Sequence, residues 1–104
     1  MTTPESTIKR KLTKMLKKHG VWYFYPNAGA FGRAGIPDVI AIVAGQFFGI
    51  ECKADCKKKP TALQRKCGDD IIKAGGWWYL VCDTETLGEV EERIQWLLSS
   101  STKP

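Results

Sequence analysis

Residues 35–53 read GIPDVIAIVAGQFFGIECK, and this stretch decides how the rest of the chain is arranged. Two short runs rich in β-branched and aromatic residues, 39–43 and 47–50, flank a turn that contains glycine. Such runs, bounded by Gly and Pro, are typical of two strands joined in a hairpin. The sequence therefore predicts a hairpin with Asp38 at its entry and Glu51-Cys52-Lys53 at its exit.

Strand geometry brings the charged residues of this hairpin together. Side chains alternate between the two faces of a strand, so Glu51 and Lys53 share a face and Cys52 points to the other. A two-residue turn at 45–46 sets Asp38 opposite Lys53. Asp38 and Glu51 are then diagonal neighbours on one face, about 7–8 Å apart before their side chains converge. A three-residue turn would put Asp38 on the wrong face, so the hypothesis requires an even turn or a compensating bulge.

Two carboxylates that converge at this spacing suit a hard divalent cation. Mg²⁺ is usually held by one or two carboxylates and keeps several waters, which leaves room for phosphate oxygens. A lysine beside it, here Lys53, can polarise the attacking water or stabilise the phosphate as negative charge builds up. On spacing alone, a surface ion pair of Asp38 or Glu51 with Lys53 is equally compatible, because charged residues are mostly exposed.

Pro37-Asp38, followed thirteen residues after the Asp by Glu51-Cys52-Lys53, resembles the PD-(D/E)XK nuclease signature. The surrounding sequence, with Gly-Ile upstream and Gln64 downstream, is similar to the VRR-NUC branch of that superfamily, particularly its small stand-alone phage members. The resemblance runs from Glu5 to the last helix. The sequence departs from the branch next to Gln64 and one turn later, where relatives often carry a Pro and an aromatic residue.

The resemblance implies a metal-dependent nuclease that hydrolyses DNA phosphodiesters. Asp38, Glu51 and the backbone carbonyl of Cys52 would hold Mg²⁺ or Mn²⁺, and Lys53 would activate water or stabilise the transition state. The family also implies a branched or flapped DNA substrate, such as a Holliday junction, and a homodimer. A homodimer suits two symmetric cuts, which need two sites.

Two further site residues come from the resemblance. Glu5, near the start of the first helix, would support a metal, and Gln64 would orient water or a phosphate oxygen. Glu5 lies three residues before Ile8, so it can share the inward stripe of that helix. Each has a simpler alternative. Glu5 also complements the N-terminal end of the helix dipole, and Gln64 could face solvent.

The charge distribution favours a nucleic-acid partner. The net charge is +5, six basic residues lie between Lys9 and Lys18, and three more form Lys57-Lys58-Lys59. The last quarter of the chain is acidic, which predicts a basic face for a polyanion and an acidic face turned away. A solvated basic helix is the alternative.

The loop 26–35 contains three glycines and leads directly to Asp38, so it should border the site. The predicted nucleic-acid contacts are Asn27, Arg33, Lys57, Lys58, Lys59, Lys9 and Lys14.

Length and composition predict one globular domain. The chain has 104 residues, of which 43% are hydrophobic and 26% charged. It has no run of 18 apolar residues and no signal-peptide pattern, so we expect a cytoplasmic protein of a bacterial or phage-infected cell. The four cysteines match no common zinc spacing, and a disulfide framework is not expected.

The remaining segments predict the order α-β-β-β-α-β-α. A helix covers 4–19 and an aromatic strand covers 21–25. The side chains of that strand are more typical of core than of base stacking, although Tyr25 or Tyr23 could reach a substrate groove. A helix at 61–74, capped by Thr61, leads to a strand at 77–82 that pairs parallel to the Glu51 strand. The inward residues of the helix at 61–74 are Leu63, Cys67, Ile71 and Ala74. A last helix follows, and 99–104 form a frayed tail.

The fold class is therefore α/β, with a mixed sheet and helices on both sides. This is the restriction-endonuclease-like core that the nuclease resemblance requires, spread over residues 1–104 as a single domain. Three alternatives stay open. One is a non-catalytic DNA-binding or assembly module on the same fold, the second is a resolvase of the archaeal type, and the third is a small basic protein whose hairpin charges form surface pairs.

Overall fold

The computed structural model describes residues 4–27 and 33–100 of the chain. Three helices and four strands follow one another as α1 (Pro4–Lys18), β1 (Trp22–Phe24), β2 (Val39–Val43), β3 (Gln46–Cys52), α2 (Ala62–Lys73), β4 (Trp77–Val81) and α3 (Thr84–Ser100). The predicted order is confirmed. None of these helices has the length and hydrophobicity needed to cross a bilayer.

The four strands form one mixed sheet in the order β1-β2-β3-β4. β1 and β3 both pair antiparallel to β2, whereas β4 pairs parallel to β3. The parallel pairing was predicted because α2 intervenes between β3 and β4, and a crossover of this length returns the chain in the same direction.

The β2–β3 hairpin has an even turn, but one that begins a residue earlier than predicted. Ala44 and Gly45 have φ angles of 50° and 79°, which is the pattern of the type I′ turn that hairpins favour. The pairing register therefore shifts by two residues, and every side chain keeps its predicted face. Continued by one residue, the register sets Asp38 across from Glu51 rather than from Lys53.

One face of the sheet holds the main hydrophobic core. α1 and α3 pack on this face, and Cys52 points into it, as predicted from the alternation along β3. The buried members include Leu12, Leu16, Val39, Ala41, Phe48, Ile50, Val81, Val90 and Ile94.

The opposite face is covered by α2, and only over β3 and β4. Gly68 of α2 approaches Trp78 so closely that a Cβ there would lie 2.5 Å from the indole. The expectation that the β1 aromatics are core is wrong for Trp22, which is 62% exposed, and for Phe24, which is also exposed. The reason is that β1 lies at the sheet edge, where no described helix covers this face.

The close approach at Gly68 also turns α2 by about one residue from the predicted orientation. Cys67 is buried as predicted, but Leu63 is 58% exposed and Ala74 is exposed too. Gln64 takes the inward position in the first turn instead. The predicted tail is also too long, because α3 continues to Ser100, and residues 101–104 lie outside the described part.

A disulfide joins Cys56 and Cys82, which corrects the expectation that the cysteines stay unpaired. Cys56 lies in the loop after β3, and Cys82 directly follows β4. Parallel pairing brings the ends of these two strands side by side, a proximity that cysteine spacing alone does not reveal. Cys52 and Cys67 are free and buried.

Removal of this disulfide should lower the stability of the fold. The two cysteines are 26 residues apart, and a loop of that size constrains the unfolded chain by about 3–4 kcal/mol. Cys56→Ser should lower the free energy of unfolding by that amount in urea titrations, and dithiothreitol should do the same to the wild type. Dithiothreitol should not affect the variant further. A wild type that unfolds identically with and without dithiothreitol would contradict this.

Candidate active site

Three separate parts of the chain meet where β3 ends. Asp38 precedes β2, Glu51 is the next-to-last residue of β3, and Gln64 lies in the first turn of α2. The backbone N–H of Cys52 donates a 2.8 Å hydrogen bond to Asp38 Oδ2. Gln64 Nε2 donates a 3.1 Å hydrogen bond to Glu51 Oε1. Both carboxylates are therefore held in place by neighbours that belong to the scaffold.

The cap of α2 fixes the orientation of Gln64. Its side-chain Oε1 accepts a 2.9 Å hydrogen bond from the backbone N–H of Thr61, and its backbone N–H donates to Thr61 Oγ1 over 3.2 Å. This is a capping box, and it satisfies two groups at the helix N-terminus. Because the amide oxygen is engaged in the cap, the amide nitrogen is left to face Glu51.

Gly35 allows the loop before Asp38 to lie against the start of α2. Its φ is +79°, a conformation that glycine adopts without steric cost. A Cβ at this position would lie 2.3 Å from the carbonyl oxygen of Leu63. The glycine thus lets the Asp38 segment and the Gln64 turn come within contact distance.

Glu51 is the most strongly perturbed acid of the site. It is 2% exposed, and its pKa is raised to about 8. Burial is the largest cause, followed by the adjacent Asp38 carboxyl group. Lys53 acts in the opposite direction by favouring the charged form, and Glu5 adds a smaller repulsion.

These residues fit a divalent cation. Among the described residues, no donor group reaches the buried Glu51 Oε2 atom, and the side-chain hydrogen bond between Glu51 and Asp38 exists only while one of the two carboxyl groups holds a proton. The doubly ionised pair is therefore costly unless a cation neutralises it. Asp38 supplies a second hard oxygen donor at the same place, as Mg²⁺ or Mn²⁺ requires. The Cys52 thiol does not compete as a ligand. It points into the core, and burial raises its pKa to about 12, so that it stays protonated.

Glu5 and Lys53 both act on this carboxylate pair. Glu5 lies in the first turn of α1 and is exposed, so the expectation that it shares the inward stripe of the helix is wrong. Its charge nevertheless reaches Glu51. Lys53 continues the β3–β4 pairing through a 2.9 Å hydrogen bond from its backbone N–H to the carbonyl of Val81.

A cavity of about 420 Å³ opens beside Asp38. Its lining brings together three predicted DNA-contacting residues, Lys9, Asn27 and Arg33, with Asp38 itself. Arg33 Nη2 also forms a 2.6 Å ion pair with Asp70 of α2. Residues 28–32 of the same predicted loop lie outside the described part of the chain.

Other predicted contacts do not join this cavity. Lys57, Lys58 and Lys59 are exposed in the loop after β3, where the Lys57 N–H donates to Asp55 Oδ1. Lys14 borders a different hollow, between α1 and α3. In that region Lys18 and His19 contact Glu91 at 3.5 and 2.6 Å. The predicted separation of basic and acidic faces is therefore wrong at this end of α1.

Sequence reasoning missed two contributors to the site. Tyr25 lines the cavity, although it was singled out only as one of two tyrosines that could reach a substrate groove. Gly35 was treated as one of several flexible loop glycines, yet its contact with α2 is specific. The Gly-x-Pro-Asp motif could have indicated the special role of Gly35, because the glycine is part of the sequence pattern that resembles the family.

A mixed sheet with helices on both faces, which sets Asp38 across from Glu51, is the arrangement of a restriction-endonuclease-like fold. A solved structure described as a VRR_NUC domain has this fold, with a TM-score of 0.79, and the match covers 88% of this chain and 97% of that chain at 22% identity. The predicted fold and the predicted VRR-NUC resemblance are confirmed.

The profile of the archaeal Holliday junction resolvase family, Hjc, matches residues 4–72, and the chain belongs to that family. No curated protein shows significant sequence similarity to the chain. Family membership makes the protein a nuclease of the PD-(D/E)XK superfamily, and hence a hydrolase. Nucleases of this superfamily generally use divalent metal ions.

Glu51→Gln should stabilise the metal-free protein. The substitution keeps the size and the acceptor for Gln64 but removes a charge that burial and Asp38 oppose. The pKa of Glu51 rises from 4.5 to about 8 on folding, so the wild type loses stability as pH increases through that window. In EDTA, the melting temperature of the variant should therefore exceed that of the wild type by an amount that grows between pH 5 and 8. A gain of about 1 kcal/mol corresponds to about 4–8 °C.

The matched control for this comparison is Glu92→Gln, at an exposed position of α3. It should change the melting temperature little at any pH, because isolated surface substitutions are usually within about 0.5 kcal/mol. A Glu51→Gln variant that melts below the wild type across the whole pH range would show that the carboxylate is not under electrostatic strain.

Proposed function

We propose that this protein is a Mg²⁺- or Mn²⁺-dependent endonuclease that hydrolyses phosphodiester bonds in branched DNA, such as a Holliday junction or a flap. The observation that carries the proposal is the buried carboxyl group of Glu51, which is held against that of Asp38 and whose Oε2 atom no donor group among the described residues reaches. A binding module would gain nothing from such a costly arrangement. The name of the Hjc family supports a branched substrate.

The proposed ligands of the cation are Asp38, Glu51 and the backbone carbonyl of Cys52. When bound, the cation supplies Lewis-acid stabilisation for the negative charge of the phosphate. The scaffold holds the carboxylates in advance, through the Cys52 N–H and the Gln64 amide, so little reorganisation is needed during the reaction.

Hydrolysis adds water to phosphorus and breaks one phosphate ester bond. Lys53 lies on the same face as Glu51, where its ammonium group stabilises the charge that develops on the phosphate oxygens and helps to orient the attacking water. Gln64 positions Glu51 and shares in orienting that water. Glu5 would support a metal from the start of α1, and its charge already reaches Glu51.

DNA binding would involve two basic regions near the site. Lys9, Asn27 and Arg33 line the cavity beside Asp38, and Lys57, Lys58 and Lys59 are exposed on the loop that follows Lys53. The basic side chains of both regions would hold the phosphate backbone and carry no base sequence. Lys14 is a more distant contact along α1.

The proposal includes a homodimer acting in the cytoplasm of a bacterial or phage-infected cell. A four-way junction has strands related by two-fold symmetry, and two symmetric cuts need two sites. A single domain of this size carries one candidate site among its described residues.

The proposed activity is tested with a labelled panel of single strand, duplex, flap and four-way junction, incubated with Mg²⁺, Mn²⁺ or EDTA. Branched DNA should be cut in either metal and not in EDTA. Lys53→Ala and Asp38→Asn should each reduce the rate by at least about 10²-fold, the loss typical of a group that stabilises transition-state charge. Lys73→Ala is the control, since Lys73 is exposed in the last turn of α2, at the opposite end of that helix from Gln64, and the variant should keep most of the activity.

Three outcomes would contradict the proposal. Cleavage that persists in EDTA would exclude the metal-dependent mechanism, and cleavage by Asp38→Asn at the wild-type rate would exclude Asp38 as a ligand. Tight DNA binding that ignores metal, without cleavage of any substrate, would favour the non-catalytic DNA-binding or assembly module.

A further inference from the structure

The cavity beside Asp38 has an aromatic wall that the proposed hydrolysis does not use. Tyr25 follows the edge strand β1 and is 51% exposed. It lines the cavity together with Pro26 and Pro37. A large exposed aromatic ring directly beside a phosphodiesterase site is a candidate for contact with the part of DNA that is not phosphate.

Two neighbours hold this ring. Lys9 Nζ lies 5.8 Å from the centroid of the Tyr25 ring, within the range of a cation–π contact. The Tyr23 ring meets it edge-on, with the centroids 6.0 Å apart and the planes at 80°. Tyr25 is therefore held by two neighbouring side chains, lines the cavity, and still exposes about half of its surface to solvent.

The chemistry of the lining matches one nucleotide. The Tyr25 ring and the two prolines offer flat apolar surface, Asn27 offers an amide that can both donate and accept, and Lys9 offers a cation for phosphate. The volume of about 420 Å³ lies in the range of small-ligand sites, about 300–1,000 Å³. A base within a continuous duplex is stacked on both sides and cannot present its face to such a wall.

We propose that Tyr25 stacks on a nucleobase that has left the helical stack next to the scissile phosphate. Lys9 contacts the adjoining backbone phosphate, and Asn27 contacts the edge of the base. The inference rests on the proposed nuclease function and adds its source of structure selectivity. Branch points and flap junctions interrupt stacking, so they supply such a base without the cost of extracting it from a duplex.

The test measures binding in EDTA, so that cleavage plays no part. Flap DNA carries 2-aminopurine at single positions around the branch point, and a second set carries an abasic site at the same positions. The wild type is compared with Tyr25→Phe, Tyr25→Ala and Phe24→Ala. Phe24 is the matched control because it is exposed next to Tyr25 in sequence but does not line the cavity.

The wild type and Tyr25→Phe should quench 2-aminopurine at one position near the branch. Tyr25→Ala should lose this quenching and bind the flap about 5- to 150-fold more weakly, the range for loss of one base–aromatic stack. For DNA that is abasic at that position, Tyr25→Ala and the wild type should bind with equal affinity. Phe24→Ala should behave as the wild type, and melting curves verify that all variants fold.

The results separate this inference from the proposed function. Binding with no position-specific quenching would overturn the stacking role while leaving the nuclease intact. The same conclusion would follow if Tyr25→Ala weakened binding to normal and abasic DNA equally, or if Phe24→Ala had the same effect. Failure of the wild type to bind any DNA would overturn both.

Discussion

The buried carboxyl group of Glu51, held against that of Asp38, is the constraint on which the rest of the structure depends. Two like-charged groups at the end of one strand pair repel each other, and burial makes the charged form of Glu51 still less favourable. Lys53 offsets part of this cost, and protonation would remove it at the expense of the negative charge. A bound divalent cation would meet both requirements, since it would neutralise the two carboxylates and supply a partner for Glu51 Oε2.

The elements around this pair keep it in place. The positive φ angles of Ala44 and Gly45 close the hairpin in the register that sets Asp38 across from Glu51. The capping box of α2 turns the Gln64 amide towards Glu51, and Gly35 lets the Asp38 segment contact that helix. A helix cap and a turn, both structural devices on their own, thereby become parts of the site.

Much of this arrangement was predictable because it is encoded locally. Apolar runs and glycine turns gave the strands, Thr61 gave the cap of α2, and the spacing of Asp38 and Glu51 gave the carboxylate pair. The exact register was not predictable from the turn sequence. Two even turns one residue apart keep every side chain on the same face, so facial alternation cannot choose between them.

The predictions that were wrong concern contacts between secondary-structure elements. Helical periodicity predicted that Leu63 faces the sheet. The contact of Gly68 with Trp78 instead orients α2 so that Gln64 takes the inward position. Trp22 looked like core because it is aromatic and lies on a strand, yet no described helix covers that part of the sheet. The Cys56–Cys82 bond requires β3 and β4 to run in parallel. Each of these features depends on how the elements pack against one another, which the local pattern of a single sequence does not predict.

The most direct test of the account is a titration of the protein with Mn²⁺, followed by electron paramagnetic resonance of the free ion. Binding to the wild type should be saturable, and Asp38→Asn should weaken it at least about tenfold, because one of two carboxylate ligands is lost. Asp70→Asn, which alters an ion-paired carboxylate outside the pair, should bind as the wild type does. Absence of binding by the wild type at millimolar Mn²⁺, or equal binding by Asp38→Asn, would contradict the claim that the carboxylate pair is a metal site.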